Sequence, residues 1–480
     1  MARSCRDFVV VVPGILGSQL AKDGRLIWGF PENLRGLVRA RSDLRSAVAD
    51  LTLRGDEPRA EEIGDGVQPT ALVSIPQIVA GLSKSDGYDL LRDRLFQDFQ
   101  LVRVKSGGQP GNYLEFPYDW RRDNRAAAYR LRRTVEEHLD RWRRDGNLEA
   151  KVVFLCHSMG GLVTRYYLEV LGGRESCRAL VTFGTPYRGA VNALNFLANG
   201  YATAGVDMTD VLRSCTSVYQ LLPIYEMVDV GGGVFHRVSE LDDIPYVAQK
   251  AALEAREFHE EIRRAVVARA APGYWTFTVV GVDQPTLQSA ELAAGALTAS
   301  EDVPDWWPTQ RETGDGTVPY VSAIPLELSD DPRGAFTVAT RHAMLQSSAD
   351  AWKFVRMVLN RLQDPSLASV QAPPAEVEPS VAPAAIELRL HDLYGGAEPV
   401  RLRARILRSL LPLTGLEAEL QTPGAASPIG PLPLTPAGDS WELTVPDLPD
   451  GVYRVKVKTI HEGPGAPVPV EDVFKVARRA

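Results

Sequence analysis

Four cysteines in 480 residues are too few for a disulfide scaffold. Cys5, Cys156, Cys177 and Cys215 also lack the paired spacing of a metal site, and Cys5 and Cys156 lie beside or within apolar runs, as small buried hydrophobes do. Long apolar runs are missing as well. The run Phe8–Val12 is too short for a signal-peptide core, and Pro13-Gly14 closes it as a turn. No stretch approaches the roughly 18 apolar residues of a membrane span. The default expectation is therefore a cytoplasmic chain with neither signal peptide nor transmembrane segment. Positive charge is in deficit too. Lys and Arg number 53 against 61 Asp and Glu, a formal net charge of −8, which argues against nucleic acid as the main partner. No internal repeat is evident.

What remains is the balance of a soluble globular protein, with 45% hydrophobic and 24% charged residues at a length that suits two or three domains. Residues 1–364 read as alternating strands and helices. Strands are expected at 8–12, 101–104, 113–116, 152–156, 179–183, 274–280 and 336–339. Helical patterns fall at 86–97, 123–145, 160–171 and 345–362. Alternation of this kind predicts an α/β fold, doubly wound around a mainly parallel sheet. Two excursions interrupt it, about 24–84 with Trp28, Pro31 and the Arg-rich piece 35–45, and about 186–272. Loops this long act as caps or lids, or add packing helices remote from substrate. Residues 365–384 are rich in Pro and Ala and read as a linker. From 385 to 480 the period changes to two: Ile386, Leu388 and Leu390 alternate with polar neighbours, as do Tyr453, Val455 and Val457, with turns at 394–396 and 449–451. We assign this part to an all-β sandwich.

The most informative stretch is Val152-Val153-Phe154-Leu155-Cys156-His157-Ser158-Met159-Gly160-Gly161-Leu162-Val163. An apolar strand stops at a small-residue turn and a helical pattern starts at once. That layout is a nucleophile elbow, which lifts a serine hydroxyl out of the backbone. Cys156 stands where the first of the two usual glycines is expected, and Gly160 supplies the second. The alternative is an ordinary Gly-rich turn with Ser158 facing solvent.

A serine hydroxyl needs a base, and the base needs an orienting acid. Asp315, in Gly314-Asp315-Gly316, is the best acid downstream, although such a tripeptide is also a common surface turn. The histidines after it are His342, His391 and His461. The last two fall in the β domain, whereas His342 follows a predicted strand directly. The order Ser158, Asp315, His342 is that of α/β-hydrolases. Oxyanion donors are expected from the Met159 N–H and, in the loop after the first strand, from the Ile15 N–H.

The chain at this point resembles the lecithin:cholesterol acyltransferase family, with its lysosomal phospholipase-like members. The matching pieces are Val12 to Leu20, Pro117-Tyr118-Asp119-Trp120-Arg121, His157 to Gly161, Gly314 to Pro319, and His342. The resemblance spans roughly 8–362 and leaves the β domain uncovered. It implies an α/β-hydrolase fold with cap insertions, ester-lipid substrates and a serine acyl-enzyme. The residues at issue are again Ser158, Asp315 and His342, with Ile15 and Met159 at the oxyanion hole. The secreted relatives carry a signal peptide and disulfides, and neither is found here.

The sequence thus predicts a serine ester hydrolase or acyltransferase directed at lipid esters, with no metal or organic cofactor. Its rivals are a soluble esterase for non-lipid esters and a catalytically silent binding scaffold. Asp119 is expected to cap the helix starting near Asn124, with Trp120 packed under it. The Arg-rich helix that follows carries Leu131, Val135, Leu139 and Trp142 on one face, and its basic face is read as solvated or as a transient contact with an anionic membrane. Trp306-Trp307-Pro308 forms either an apolar wall for an acyl chain or packing within a loop. The β domain is expected to dock a protein partner, a membrane or a substrate.

Overall fold

The structure, a computed structural model, describes residues 2–29, 48–74, 77–79, 83–105, 109–203, 206–269, 273–307, 313–328, 335–364, 384–395, 398–409, 415–423, 425, 427–460 and 465–477. Pro31, the Arg-rich piece 35–45, residues 365–383, Pro308, Gly396 and His461 lie outside them.

Six strands form the main sheet: β1 (Phe8–Val12), β2 (Tyr113–Glu115), β3 (Val152–His157), β4 (Cys177–Phe183), β5 (Trp275–Gly281) and β6 (Ala335–Val338). Their order is β6-β5-β4-β3-β1-β2, and every neighbouring pair is parallel. The sheet is covered on both sides, which is why β1 and β3 are apolar at every position bar one. Val10, Val12, Phe154 and Cys156 face a core shared with helix α2 (Asn124–Arg144) and helix α3 (Met159–Arg165). Val9, Val11, Val153 and Leu155 face the other core, closed by α1 (Asp89–Asp98) and, at the C-terminal end, by a helix over Ala349–Gln363. This is the doubly wound α/β architecture expected from the alternation.

Several local expectations are corrected. Residues 101–104 form no regular strand. Only Arg103 bridges to Tyr113, on the outer edge of the sheet where Val102 is exposed. The helical pattern at 345–362 begins later, at Ala349, because the Ser348 side chain caps it by accepting from the Ala351 N–H at 3.3 Å. Residues 342–347 are instead a separate tight helical turn. Asp119 does not cap α2. Asp123 does, accepting from the Arg125 N–H at 2.7 Å, while Asp119 holds the buried Arg121 guanidinium. Trp120 is fully buried, as its predicted packing role requires. On α2, Leu131, Val135 and Leu139 face the core, and Arg132, Arg133 and Arg141 pair with Glu136, Glu61 and Glu137.

The second excursion supplies helix α4 (Val191–Asn199) and helix α5 (Gln249–Ala268), both packed on the sheet's first core. A hairpin of Ser289–Ala293 and Ala296–Ser300 was not anticipated. Its turn places Ala294 and Gly295 at φ 50° and 75°, and alanine is a poor advertisement for such a turn. Of the first excursion, Arg25–Trp28 and Val67–Leu72 pair with Ser18–Lys22 in a small antiparallel sheet. Trp307 packs edge-on against Tyr225, and the Trp306 indole donates to the Glu226 carbonyl.

The C-terminal strands make two sheets around their own core, which includes Ile386, Leu402, Val455 and Phe474. Nearly all pairs are antiparallel, as in a sandwich. The sandwich is clamped to the α/β unit. The Gln284 amide donates to the Ile386 carbonyl and accepts from the Leu388 N–H, the Asp283 carboxylate takes both guanidinium nitrogens of Arg408, and Arg454 pairs with Asp86. Val473 packs on Ala343 and Met344. Among the described residues, no helix is long and apolar enough to cross a membrane.

Candidate active site

The C-terminal ends of the parallel strands converge on one rim. There Ser158 sits at φ 51°, ψ −127°, a backbone conformation that a residue with a Cβ adopts only under constraint. The constraint is visible in its neighbours. A Cβ on Gly160 would lie 2.4 Å from the Pro13 carbonyl oxygen, and one on Gly14 would lie 2.8 Å from the Ser158 Cβ. The elbow and the loop after β1 are therefore packed backbone to backbone, and glycine is the residue that permits it. Cys156, at the position of the missing glycine, is buried, with its sulfur 3.2 Å from the Thr164 hydroxyl. Burial pushes its thiol up to about 12, so it stays protonated beside the serine.

His342 Nε2 lies 3.0 Å from Ser158 Oγ, and His342 Nδ1 lies 2.7 Å from Asp315 Oδ2. The other carboxylate oxygen of Asp315 accepts from the Thr317 and Val318 N–H groups at 2.9 and 2.7 Å. The His342 N–H in turn donates to the Asp315 carbonyl at 2.7 Å. Gly184, at φ 56°, makes room for the pair, since a Cβ there would meet both the carboxylate and the imidazole within 3 Å. All three side chains are buried. The structure thus brings together residues that are 157 and 27 positions apart, while His391 stacks on Tyr394 in the sandwich.

The two expected oxyanion donors lie next to Ser158 in the chain and in the loop that packs against it. Met159 is the first residue of α3, and Ile15 follows Gly14 in the loop after β1. Among the described residues, neither N–H donates to a protein acceptor. The loop carrying Ile15 is fixed from below by the Pro-Tyr-Asp-Trp-Arg motif. The Tyr118 hydroxyl donates to the Pro13 carbonyl at 2.9 Å, the Tyr118 N–H to Ser18 Oγ at 3.0 Å, and the Trp120 indole to the Ser18 carbonyl at 3.2 Å. Trp28 adds a bond to the Leu16 carbonyl at 2.9 Å.

Two groups the sequence reading passed over sit behind the serine. His157 is buried beside His342, with ring centroids 4.9 Å apart. Burial, and then the neighbouring His342, hold its imidazole well below the usual histidine range, so it is neutral. Its Nδ1 lies 3.0 Å from the hydroxyl of Tyr88, a residue that no local motif announces.

A cavity of about 240 Å³ adjoins Asp315 and His342. Helix α4 lines it with Asn192, Asn195 and Phe196, and the sandwich with Asp392 and Asp472. Arg341, next to His342 in the chain, is held there by the fully buried Asp472 carboxylate at 3.0 Å.

The family model for lecithin:cholesterol acyltransferase matches residues 93–258. That segment carries both the Pro117–Arg121 motif and the elbow, and the resemblance read from the sequence is borne out there. No curated protein matches the chain. Among solved structures, a Bacillus licheniformis lipase in propeptide form is similar at 12% identity, covering 98% of this chain and 93% of that chain with a TM-score of 0.32. The CARDB domain of a Pyrococcus furiosus protein, in complex with di-metal ions, is similar at 8% identity. It covers 20% of this chain and 94% of that chain, with a TM-score of 0.15.

Proposed function

We propose that the chain is a serine-dependent ester hydrolase or acyltransferase acting on lipid esters through an acyl-enzyme. One observation carries the reading: the continuous hydrogen-bonded series from Ser158 Oγ through the His342 imidazole to the Asp315 carboxylate, on the strand-end rim of an α/β sheet. In this mechanism Ser158 Oγ attacks the acyl carbonyl while His342 Nε2 takes its proton. The carbon–oxygen bond to the alcohol breaks as His342 returns that proton to the leaving oxygen. A water or an acceptor alcohol then attacks the acyl-enzyme, deprotonated by the same imidazole. Asp315 keeps the other imidazole proton on Nδ1 and stabilises the imidazolium formed at each step. The negative charge on the carbonyl oxygen is met by the N–H groups of Ile15 and Met159, each worth about a hundred- to a thousandfold in turnover.

The family match favours a lipid ester over other esters. The cavity beside Asp315 and His342 is mixed in character: apolar Phe196, Pro285 and Leu287 share its wall with Asn192, Arg341 and the carboxylates of Glu301, Asp392 and Asp472. The test is a panel of phospholipids, triacylglycerols and short nitrophenyl esters, assayed with the wild type and Ser158→Ala. Turnover of long-chain lipid esters that vanishes in the variant supports the proposal. Turnover restricted to short esters rejects the lipid assignment, and turnover that survives in Ser158→Ala rejects the mechanism.

A further inference from the structure

Behind Ser158 runs a buried series of hydrogen bonds whose direction is fixed by its two ends. It begins at the Gly14 N–H, which can only donate, and which lies 2.9 Å from the Tyr88 hydroxyl oxygen. It ends at the His342 carbonyl, which can only accept, and which lies 3.2 Å from His157 Nε2. His157 Nε2 must therefore carry a proton. The remaining link, Tyr88 Oη to His157 Nδ1 at 3.0 Å, then resolves itself. Tyr88 accepts from Gly14 and gives its own proton to Nδ1, which as the bare nitrogen of a neutral imidazole accepts it.

We infer that His157 and Tyr88 are positioning residues, joining the oxyanion loop to the loop of the catalytic histidine through a one-way relay behind the nucleophile. This rests on the reading of the site as a serine ester hydrolase or acyltransferase. Gly14 precedes Ile15, whose N–H is the proposed oxyanion donor, and the relay holds that loop to the N-terminal end of α1, where Tyr88 stands. At its other end it grips the main chain of His342 itself. The three parts of the reaction — hydroxyl, base and oxyanion donor — are thereby set at fixed separations. The burial that keeps His157 neutral also keeps the relay in one tautomer, because a proton on Nδ1 would face the hydroxyl that must donate to it.

The relay makes demands that plain packing does not. His157→Phe keeps a buried ring but removes the donor and the acceptor. His157→Gln keeps one of each. Tyr88→Phe removes the central hydroxyl alone. With a short nitrophenyl ester and the full chain, His157→Phe and Tyr88→Phe are expected to lower kcat by about ten- to a hundredfold with KM little changed, the range that a shift of about 1 Å in reacting groups produces. His157→Gln is expected to recover most of that loss. The double variant Tyr88→Phe/His157→Phe is expected to lose no more than the worse single one, because each change already breaks the same series. Melting temperatures are measured alongside. A kcat unchanged in folded His157→Phe, losses that multiply in the double variant, or a folded His157→Gln as slow as His157→Phe would each overturn the inference. A second measurement does not depend on turnover. Nitrogen-15 NMR of histidine-labelled protein should show His157 as the neutral Nε2–H tautomer from pH 8 to pH 5, and a mixture of tautomers in Tyr88→Phe. An Nδ1–H or charged imidazole in the wild type would overturn the relay, whereas the expected tautomer in a chain that cleaves no ester would reject the enzymatic reading alone.

Discussion

Replacing Gly160 by alanine tests whether the elbow is held by backbone contact. The added Cβ would sit 2.4 Å from the Pro13 carbonyl oxygen and 2.6 Å from that of Val12. A carbon–oxygen contact settles at about 3.3 Å, so the elbow and the end of β1 must separate by about 1 Å. Neither oxygen can swing aside, since both are main chain, and the Pro13 oxygen already accepts from Tyr118. Overpacking of this kind costs about 1–3 kcal/mol. The same movement widens the gap between the Ile15 N–H and Ser158, and a displacement of that size lowers kcat by about a hundredfold. Gly395→Ala is the control, because its Cβ would meet nothing closer than the Ala477 oxygen at 3.9 Å. The assay pairs thermal unfolding with turnover of a nitrophenyl ester. Gly160→Ala with the melting temperature and kcat of the Gly395→Ala control would refute the argument that this contact shapes the site.

Asp315→Asn should fold normally, because the two N–H groups that the carboxylate accepts can still bond an amide oxygen, yet kcat should fall by about ten-thousandfold through loss of the Nδ1–H tautomer. A loss below tenfold would argue against Asp315 as the orienting acid. Asp472→Leu should cost about 3–5 kcal/mol in urea unfolding, since it strands the Arg341 guanidinium in the interface. Arg341→Met/Asp472→Leu should recover most of that loss, and a double variant no better than the single one would contradict the pairing. His259 is buried, with Nε2 2.8 Å from the Gln220 carbonyl, and burial lowers it to about 4. The unfolded chain binds this proton more readily, so the contribution of His259 is complete above about pH 6.5 and is lost as pH falls through about 4, up to about 3 kcal/mol. Denaturation midpoints at pH 7.5 and 5 should therefore differ less in His259→Gln than in the wild type, and an identical pH dependence would count against that assignment.

The parts of this molecule that the sequence made legible are those in which one local pattern implies one local structure. The apolar runs at 8–12 and 152–156 could be buried only between two layers of helix, and they are. The turn from Cys156 to Gly161 reads as an elbow because an apolar strand precedes it and a helical pattern follows, and the positive φ of Ser158 separates it from an ordinary Gly-rich turn. Asp315 and His342 were weaker individually. Chain order and the ends of predicted strands singled them out, and the structure joins Asp315 to His342 and His342 to Ser158. What was missed depends on partners far along the chain. Tyr88 lies 69 residues before His157 and sits in no motif, so its hydroxyl bond could not be read from spacing. Asp119 is the cap expected from the sequence, and Asp123 is the cap in the structure. Arg121 decides between them by claiming Asp119, in a pocket built partly by Asp65 from the first excursion. The place of the sandwich against the His342 loop was equally invisible, because Asp472, Val473 and Gln284 carry no local sign that they meet other elements.

The central claim is that Ser158 is an activated nucleophile. A fluorophosphonate probe reacts with such a hydroxyl and leaves a covalent phosphonyl adduct. Intact-mass analysis of the full chain, followed by peptide mapping, should find one adduct, located on Ser158, and none in Ser158→Ala or at a greatly reduced rate in His342→Ala. An unlabelled wild type, or an adduct that persists in Ser158→Ala, would contradict the account.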